Sequence, residues 1–519
     1  MVKHFTLHRL VLSAALCFSC LLANAYDFEV DGIYYNITDS ASLTVEVTFG
    51  TAEGNSYSGD VTIPETIMYD GTSYSVTSIG DGAFFYCTGL TNVVIGDSLK
   101  SIGNGAFSDC TSLKGIPLPD ALTSIDNYAF ENCTSLASIV IPDAVTSIGE
   151  DVFYNCTSLA SVSLPDSLTS IGEGVFKNCT SLASIVIPDA VTIIGSYAFY
   201  RCTGLTSITI PDAVTSIGSR VFYGCTGLTS ISLPDALTSI GSSVFYGCTG
   251  LTSITIPDAV TSIGEEVFYN CTSLASVSLP DSLTSIESSA FHGCTSLASI
   301  VIPDAVTSIE SSAFHGCTSL ASIVIPDAVT SIKGNAFYGC TSLTNVTLPD
   351  AVTYIGMGAF CNCTSLASIV IPDAVTGITL YVFRGCTSLA DIYSLNTTPP
   401  TCTNTYCFSN YDATLHVPAD AVDTYAAANV WKEFNTIVGD AETAGISTVN
   451  VDNGSYKVSA DGGMVNVTGL GNGERVTVYT ADGRMVGAMT ADGGSTSISA
   501  PKGVAIVRIG DKTLKVAVR

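Results

Sequence analysis

The chain has 519 residues, of which 47% are apolar and only 12% are charged. This apolar content is enough to bury a core, so a mostly disordered chain is excluded. Its 18 basic residues stand against 46 acidic ones, which gives a formal net charge of −28. Such an acidic chain disfavours nucleic acids and anionic membrane surfaces as partners, because both repel negative charge.

The first 25 residues have the features of an export signal. A basic start is followed by a mostly apolar run over residues 10–22 and by Ala23-Asn24-Ala25, which fits the small-x-small pattern of a cleavage site. The apolar run is too short to span a membrane, and no later stretch is long enough. We therefore predict an exported protein without a membrane span, whose mature chain starts at Tyr26. A lipoprotein attached through Cys20 is the alternative, although apolar residues continue past that cysteine.

Cysteine recurs through the middle of the chain with a constant period of 23 residues. Fourteen cysteines keep this register, at positions 87, 110, 133, 156, 179, 202, 225, 248, 271, 294, 317, 340, 363 and 386. A period of this length, combined with an L-x-x-I-x-I pattern, is typical of a leucine-rich-repeat solenoid. We therefore predict a β-rich, right-handed solenoid of 23-residue coils that forms a monomeric rod.

One typical repeat shows how each coil is expected to fold. Ile300 and Ile302 alternate with outward positions, which predicts a strand, and Pro303 is expected to end it because proline cannot donate to a ladder. The β-branched stretch over residues 306–309 is expected to be extended on the back of the coil. Residues 313–317 then have the spacing of one short helical turn, with their apolar side chains directed inward.

The unit I-P-D-A-V-T-S-I-G-x-x-A-F-x-x-C-T-S-L, which recurs over roughly residues 61–390, resembles the BspA-type leucine-rich repeat. Residues 26–77, with FEVDGIYYNIT, and residues 395–439, with VPADAVDTYAAANVWKEF, resemble the caps of that family. Such caps cover the core and the unpaired strand edges at the ends of a solenoid. The resemblance implies a secreted protein or one on the outer surface of a Gram-negative bacterium. It also implies adhesion to host matrix proteins, other cells or glycans.

The 23-residue period ends near Ala441. Apolar runs such as MVNVTGL and VAIVRI, separated by turn signals that include Asn472-Gly473 and Asp492-Gly493, predict a small β-sandwich. VYTADGRMV, PKGVAIVRI and the terminal KVAVR resemble the C-terminal sorting domain of type IX secretion cargo, which implies passage across an outer membrane. Ala505 stands where that family usually has an aromatic residue, and an ordinary accessory β-domain is the alternative.

These observations predict a chain of six consecutive parts. They are a signal peptide (1–25), an N-terminal β cap with a first partial repeat (26–77), the solenoid (78–394), a C-terminal cap (395–439), a linker (440–455) and the β-sandwich sorting domain (456–519).

Cysteine and aspartate columns could in principle carry redox or metal chemistry. The cysteines in register are expected to be buried free thiols, although neighbouring pairs could oxidise after export. Cys402 and Cys407 lie outside the register and form the candidate disulfide. Aspartate recurs from Asp97 to Asp373, and its carboxylate is expected to accept backbone N–H groups in the turn after proline. Calcium along this column is the alternative, but the multi-ligand loop of calcium sites is missing, so no metal or cofactor is predicted.

The candidate binding residues share the position two before the repeat cysteine. They are Tyr154, Tyr200, Tyr223, Tyr246, Tyr269, His292, His315 and Tyr338. Tyrosine offers contact area together with a polar tip, which favours a binding surface. The alternative is that these rings only pack against adjacent coils. The strand face, with its column of serines such as Ser207 and Ser230, is a second candidate surface for a protein or glycan, or else a simple solvated face.

Catalytic motifs are missing from the sequence. The predicted mature chain has three histidines, and two of them, His292 and His315, are copies of one repeat position rather than a unique base. No G-x-S-x-G, H-E-x-x-H or phosphate-loop pattern occurs. We therefore predict a non-enzymatic protein that binds a protein or glycan at the cell exterior. A structural spacer or biofilm element without a specific ligand is the alternative.

Overall fold

The structure is a computed structural model that describes residues 26–50, 56–441, 456–461, 464–480, 485–500, 503–509 and 512–518. The expected signal peptide and nearly all of the expected linker lie outside these residues. Internal contacts divide the chain into two units. One consists of Met1–Leu389 with Pro400–Asn410, and the other of Ala390–Pro399 with Tyr411–Arg519.

The first unit begins with a cap of six strands. They are β1 (Phe28–Val30), β2 (Ile33–Asp39), β3 (Thr44–Thr48), β4 (Gly59–Ile63), β5 (Thr66–Tyr69) and β6 (Thr72–Ile79). Asp31-Gly32 and Asp70-Gly71 adopt left-handed backbone conformations, which allows tight antiparallel turns between β1 and β2 and between β5 and β6. β3 pairs with β6 in parallel, and so begins the parallel ladder that the coils continue.

Short strands at a constant spacing follow. In chain order they are β7 (Leu90–Ile95), β8 (Ser101–Ile102), β9 (Ser124–Ile125), β10 (Ser138–Val140), β11 (Ser161–Ser163), β12 (Ser170–Ile171), β13 (Ile193–Ile194), β14 (Ser207–Thr209), β15 (Ser216–Ile217), β16 (Ser230–Ser232), β17 (Ser239–Ile240), β18 (Ser253–Thr255), β19 (Ser262–Ile263), β20 (Ser276–Ser278), β21 (Ser285–Ile286), β22 (Ser308–Ile309), β23 (Ser322–Val324), β24 (Ser331–Ile332), β25 (Asn345–Thr347), β26 (Tyr354–Ile355), β27 (Ser368–Ile371), β28 (Gly377–Ile378), β29 (Asp391–Ser394) and β30 (Thr401–Cys402).

These strands pair in parallel, and in most pairs the partners are 23 residues apart. The two-residue strands form ladders of several strands, with pairs such as Ser239 to Ser262. The three-residue strands pair two by two, as Ser207 does with Ser230. The solenoid prediction is therefore confirmed. So is the extended segment on the back of the coil, since β22 occupies it.

The core consists of identical residues that meet at every step along the solenoid. A phenylalanine stands three before each repeat cysteine, and successive rings from Phe84 to Phe383 lie 4.8–5.8 Å apart with nearly parallel planes. The cysteines in register are buried free thiols. Cys294 Sγ, for example, donates to the Phe268 carbonyl oxygen at 3.1 Å, and burial raises the pKa of this thiol to about 12. At neutral pH these cysteines are therefore neutral, small, apolar packing residues.

The segment before each cysteine is not the helical turn expected from the sequence. In residues 310–317, Ser312 (φ 58°) and Gly316 (φ 71°) are left-handed, which a helix does not allow. Phe314 N–H donates to Ala336 O in the next coil at 2.7 Å, whereas Cys317 N–H closes a turn onto Phe314 O at 3.2 Å. N–H groups thus alternate between bonds to the next coil and bonds within their own coil. The spacing of apolar residues alone did not reveal this inter-coil bonding.

Most of the expected C-terminal cap lies in the second unit, although residues 400–410 belong to the first. Its parallel strands are β29, already defined, with β31 (Thr414–His416) and β32 (Thr436–Val438). A short helix, α1 (Val422–Ala427), and a 3₁₀ turn (Trp431–Glu433) connect the last two strands. Trp431 is 1% exposed and packs edge-on against Tyr425 at 5.2 Å. A further 3₁₀ turn (Thr405–Cys407) follows β30 in the first unit.

The tail is strand-rich, as expected. Its strands are β33 (Lys457–Asp461), β34 (Met464–Thr480), β35 (Met485–Ser499), β36 (Gly503–Ile509) and β37 (Lys512–Val518), and all of their pairings are antiparallel. Val465, Val467, Val476 and Val478 lie at the centre of its buried core. Asn472-Gly473 is not a turn between two strands. It lies within β34, at a register irregularity opposite Asp492.

Candidate functional site

The turn before each cysteine places neighbouring side chains on opposite sides of the coil wall. Phe245 is 0% exposed, whereas Tyr246, the next residue, is half-buried. Gly247 follows with a left-handed φ of 67° and lets the chain turn back toward Cys248. In the coils where a half-buried ring stands two before the cysteine, this position therefore faces outward in register with its copies.

Seven of the eight candidate rings come together in one continuous stack. The successive centroid separations from Tyr200 to Tyr338 are 4.8, 4.4, 4.5, 4.3, 4.3 and 4.6 Å. We call this stack the aromatic array, and its members are Tyr200, Tyr223, Tyr246, Tyr269, His292, His315 and Tyr338. Neighbouring rings cover each other's faces, so the array presents ring edges and polar tips to the outside.

Tyr154 lies apart from the array. The coil between Tyr154 and Tyr200 has Lys177 at the equivalent position. Its Nζ lies 4.5 Å from the centroid of the Tyr154 ring and 3.9 Å from Asp151 Oδ1. A lysine, which cannot stack as a ring, thus ends the array on this side.

The array is electrically neutral over the physiological pH range. Burial, together with the neighbouring His315, lowers the pKa of His292 to about 4, and burial also lowers the pKa of His315. Burial raises the pKa of Tyr246 to about 12, with a further contribution from Tyr223. His292 Nδ1 is buried and accepts or donates no hydrogen bond among the described residues. Within the described residues, the stacked arrangement therefore leaves this buried nitrogen without a hydrogen-bond partner.

Lysine and arginine side chains lie over tyrosine rings, a type of contact that the sequence analysis did not predict. Seven lysines and arginines occur between residues 78 and 410. Five of them lie over tyrosine rings at 4.5–5.7 Å, and they are Lys177, Arg201, Arg220, Lys333 and Arg384. Arg220 Nη1 also donates to the Tyr197 hydroxyl at 2.6 Å. The signal was present, because Tyr197 and Arg220 occupy the same repeat position in successive coils, but only the coil-to-coil register reveals the contact.

The second candidate surface is the strand face, which carries mostly small hydroxyl side chains. Its serine column is exposed at Ser207 and Ser230. Isolated apolar residues stand beside the serines, with Val186 84% and Val301 81% exposed. This face lacks the aromatic contact area of the array.

Cys402 and Cys407 are in contact. A hydrogen bond between their side chains lowers the pKa of Cys407 to about 6 and raises the pKa of Cys402. Both are thiols in this structure. Their disulfide stays a prediction, and the contact means that little movement would be needed to form it.

Within the part of the chain that the structure describes, no three His, Cys, Asp or Glu side chains converge as a metal site would require. The turn that contains Asp143 is closed by its backbone, through the Val145 N–H and the Pro142 carbonyl oxygen at 3.0 Å.

The coil pattern matches one family model. Residues 77–206, 192–321 and 307–420 match the family described as "BspA type Leucine rich repeat region (6 copies)". The chain belongs to the BspA-type leucine-rich repeat family. Proteins of this family are typically surface proteins and generally non-catalytic, and leucine-rich repeats generally mediate protein binding.

The chain is also similar to several solved structures of leucine-rich repeat and surface proteins. A leucine-rich repeat protein from Bacteroides ovatus is 33% identical, with a TM-score of 0.59 over 71% of this chain and 100% of its own. A leucine-rich cell surface protein from Faecalibacterium prausnitzii is 29% identical, with a TM-score of 0.41 over 62% and 93%. The pneumococcal vaccine antigen PcpA is 19% identical, with a TM-score of 0.45 over 80% and 99%. No curated protein matches the sequence significantly.

None of the helices in the described residues has the length and apolar character needed to cross a bilayer.

Proposed function

We propose that this protein is exported to the cell surface and acts there as a non-enzymatic adhesin. Its ligand is an extracellular protein or glycan, and the aromatic array is the surface that binds it. Family membership supports a surface location. The features of residues 1–25 support export.

One observation carries the binding proposal. Seven aromatic rings are stacked at the outward position of successive coils, while the buried positions beside them already hold the coils together. The inward phenylalanine is the same in all fourteen coils, but the outward position also holds Glu131 and Lys177. The fold therefore does not require a ring at the outward position.

Binding assays on the full chain test this proposal. The chain is measured against matrix proteins and a glycan array, and compared with a variant in which Tyr200, Tyr223, Tyr246 and Tyr269 are changed to serine. A matched control changes Val186 and Val301 on the strand face to serine. The proposal expects saturable binding that the tyrosine variant loses and the valine variant keeps. Binding that survives only in the tyrosine variant would place the site on the strand face instead.

The uniformity of the coils favours a second candidate function. Fourteen coils without an insertion make a spacer of constant geometry, and such an element of a biofilm or cell surface needs no specific ligand. Lack of binding to every probe in these assays would support the spacer.

For the tail, we infer a sorting domain of the type IX secretion kind. The motifs VYTADGRMV and PKGVAIVRI and the strand-rich fold of this segment support it. Deletion of residues 441–519 is expected to abolish surface display, measured by antibody labelling of intact cells. Unchanged display after this deletion would contradict the inference.

A further inference from the structure

A cavity lies where the aromatic array ends. The repeat position of Tyr338 holds Cys361 in the next coil and Arg384 in the coil after that. The cavity has a volume of about 420 Å³, and Tyr338, Cys361, Asn362, Tyr381 and Arg384 are among its lining residues. Cys361 is only 6% exposed, so it lies at the base of the cavity. The cavity is thus the space that one more ring of the array would occupy.

This space is suited to a single ring-shaped group. Among the described residues, His315 is the one ring in contact with Tyr338, at 4.6 Å and tilted by 36°, so the side of Tyr338 toward the cavity carries no ring. The positions of Tyr338 and Arg384 are two coil steps apart, or roughly 9–10 Å. That separation leaves room for one ring in contact with both side chains.

Polar groups are fixed around the same space. Asn362 Nδ2 donates to the Tyr338 hydroxyl at 3.0 Å, which orients the amide. A side chain at Gly385 would begin 2.1 Å from Asn362 Oδ1, so the glycine makes room for that amide. The Arg384 guanidinium lies over Tyr381 at 5.0 Å and over Tyr406 at 6.0 Å. Stacking occupies the faces of the guanidinium and leaves its N–H edge for an acceptor.

The charge distribution indicates what that acceptor is. Arg384 forms no salt bridge within the described residues, and no residue that lines the cavity is acidic. The middle of the array differs, because the carboxylate of Glu266 lies nearby and accepts a hydrogen bond from Ser243 at 3.0 Å. In a chain with a net charge of −28, the cavity is therefore a local site for one negative charge at the end of a neutral array.

We propose that this cavity binds one carboxylated pyranose, as found at the acidic terminus of a glycan. The apolar face of the sugar stacks on Tyr338, its hydroxyl groups bond to the Asn362 amide, and its carboxylate pairs with Arg384. This inference rests on the proposed function, because it names the ligand class for one end of the array. Glycans with a charge on every sugar are disfavoured, since Glu265, Glu266, Glu287 and Glu310 flank the remaining rings.

Two matched sugars test the proposal on the full chain. Methyl glucuronide and methyl glucoside differ only at C6, which is a carboxylate in the first and a hydroxymethyl group in the second, and their affinities are measured by saturation-transfer NMR titration. The glucuronide is expected to bind at least about tenfold more tightly, as for a hydrogen bond to a charged group. Arg384→Gln is expected to remove this preference. Cys361→Tyr, which adds the missing ring at a position where other coils hold tyrosine, is expected to abolish binding of both sugars.

Arg220→Gln is the matched control, because Arg220 also lies over a tyrosine ring but outside the cavity. This variant is expected to bind both sugars as the unchanged chain does. Equal affinity for the two sugars, or glucuronide binding that Arg384→Gln and Cys361→Tyr leave unchanged, overturns the proposal. If the glucuronide does not bind while the four-tyrosine variant still loses its array ligand, only this inference fails. If that variant keeps its array ligand, the proposed function fails.

Discussion

Phe245 and Tyr246 are neighbours in the chain. Replacing each with alanine distinguishes what the core contributes to stability from what the proposed binding surface contributes. Phe245 is 0% exposed and stacks on Phe222 and Phe268 at 5.7 and 5.5 Å. Removing a buried phenylalanine side chain costs about 3–5 kcal/mol. Tyr246 is half-buried and loses two stacked neighbours at 4.4 and 4.5 Å. Each such pair contributes about 0.5–1.5 kcal/mol, so we expect a loss of about 1–3 kcal/mol.

Hydrogen exchange followed by mass spectrometry measures this cost locally, which matters because a solenoid need not unfold in one step. The Gly264 N–H, which donates to the Ile240 carbonyl oxygen at 2.9 Å in the adjacent coil, reports on the affected coils. Phe245→Ala should lower its opening free energy by about 2 kcal/mol more than Tyr246→Ala does. Equal losses in the two variants would refute the reasoning, because they would show that the array holds the coils together as the core does.

Two other predictions concern titratable groups. Since the pKa of His292 is lowered from 6.5 to about 4 in the fold, the unfolded chain binds a proton first. Stability should therefore fall as the pH drops from about 6.5 to about 4, by roughly 1 kcal/mol after allowance for solvent screening of a half-exposed ring. Urea unfolding at pH 7 and pH 4.5 measures this loss of stability. The variant with tyrosine at positions 292 and 315 should lack the part of the loss that comes from protonation of His292. For Cys402 and Cys407, mild oxidation should form one intramolecular disulfide, seen by mass spectrometry as a loss of two hydrogens, while the buried cysteines in register stay unmodified. Modification of the buried cysteines at the same rate would contradict their burial.

The sequence predicts the solenoid well because one short repeat carries a strong periodic signal. A fixed inward residue such as Phe245 and a fixed cysteine such as Cys248 leave one arrangement in which identical side chains meet. The prediction of a helical turn before the cysteine was wrong, because the spacing of Ala313, Phe314 and Cys317 fits both a helical turn and the turn that the structure contains. Left-handed backbone at serine and glycine decides between the two structures, and composition alone does not show it.

The candidate site was predicted in part. The shared repeat position predicts that the rings line up, and the structure brings seven of them together. The sequence did not reveal that Cys361 ends the array. This becomes visible only when the coils are aligned, because Cys361 then stands where the preceding coils have an aromatic ring. Nor did the sequence reveal Arg384, whose ring partners are Tyr381 in its own coil and Tyr406 beyond it.

The most direct test of the aromatic array as the binding surface is a footprint of the bound full chain. Hydroxyl-radical labelling with mass spectrometry measures the reactivity of each side chain with and without a ligand found in the binding assays. The account predicts protection of the array residues from Tyr200 to Tyr338, with Val186 and Val301 on the strand face unchanged. Protection of those two valines, with the tyrosines as reactive as in the free chain, would contradict it.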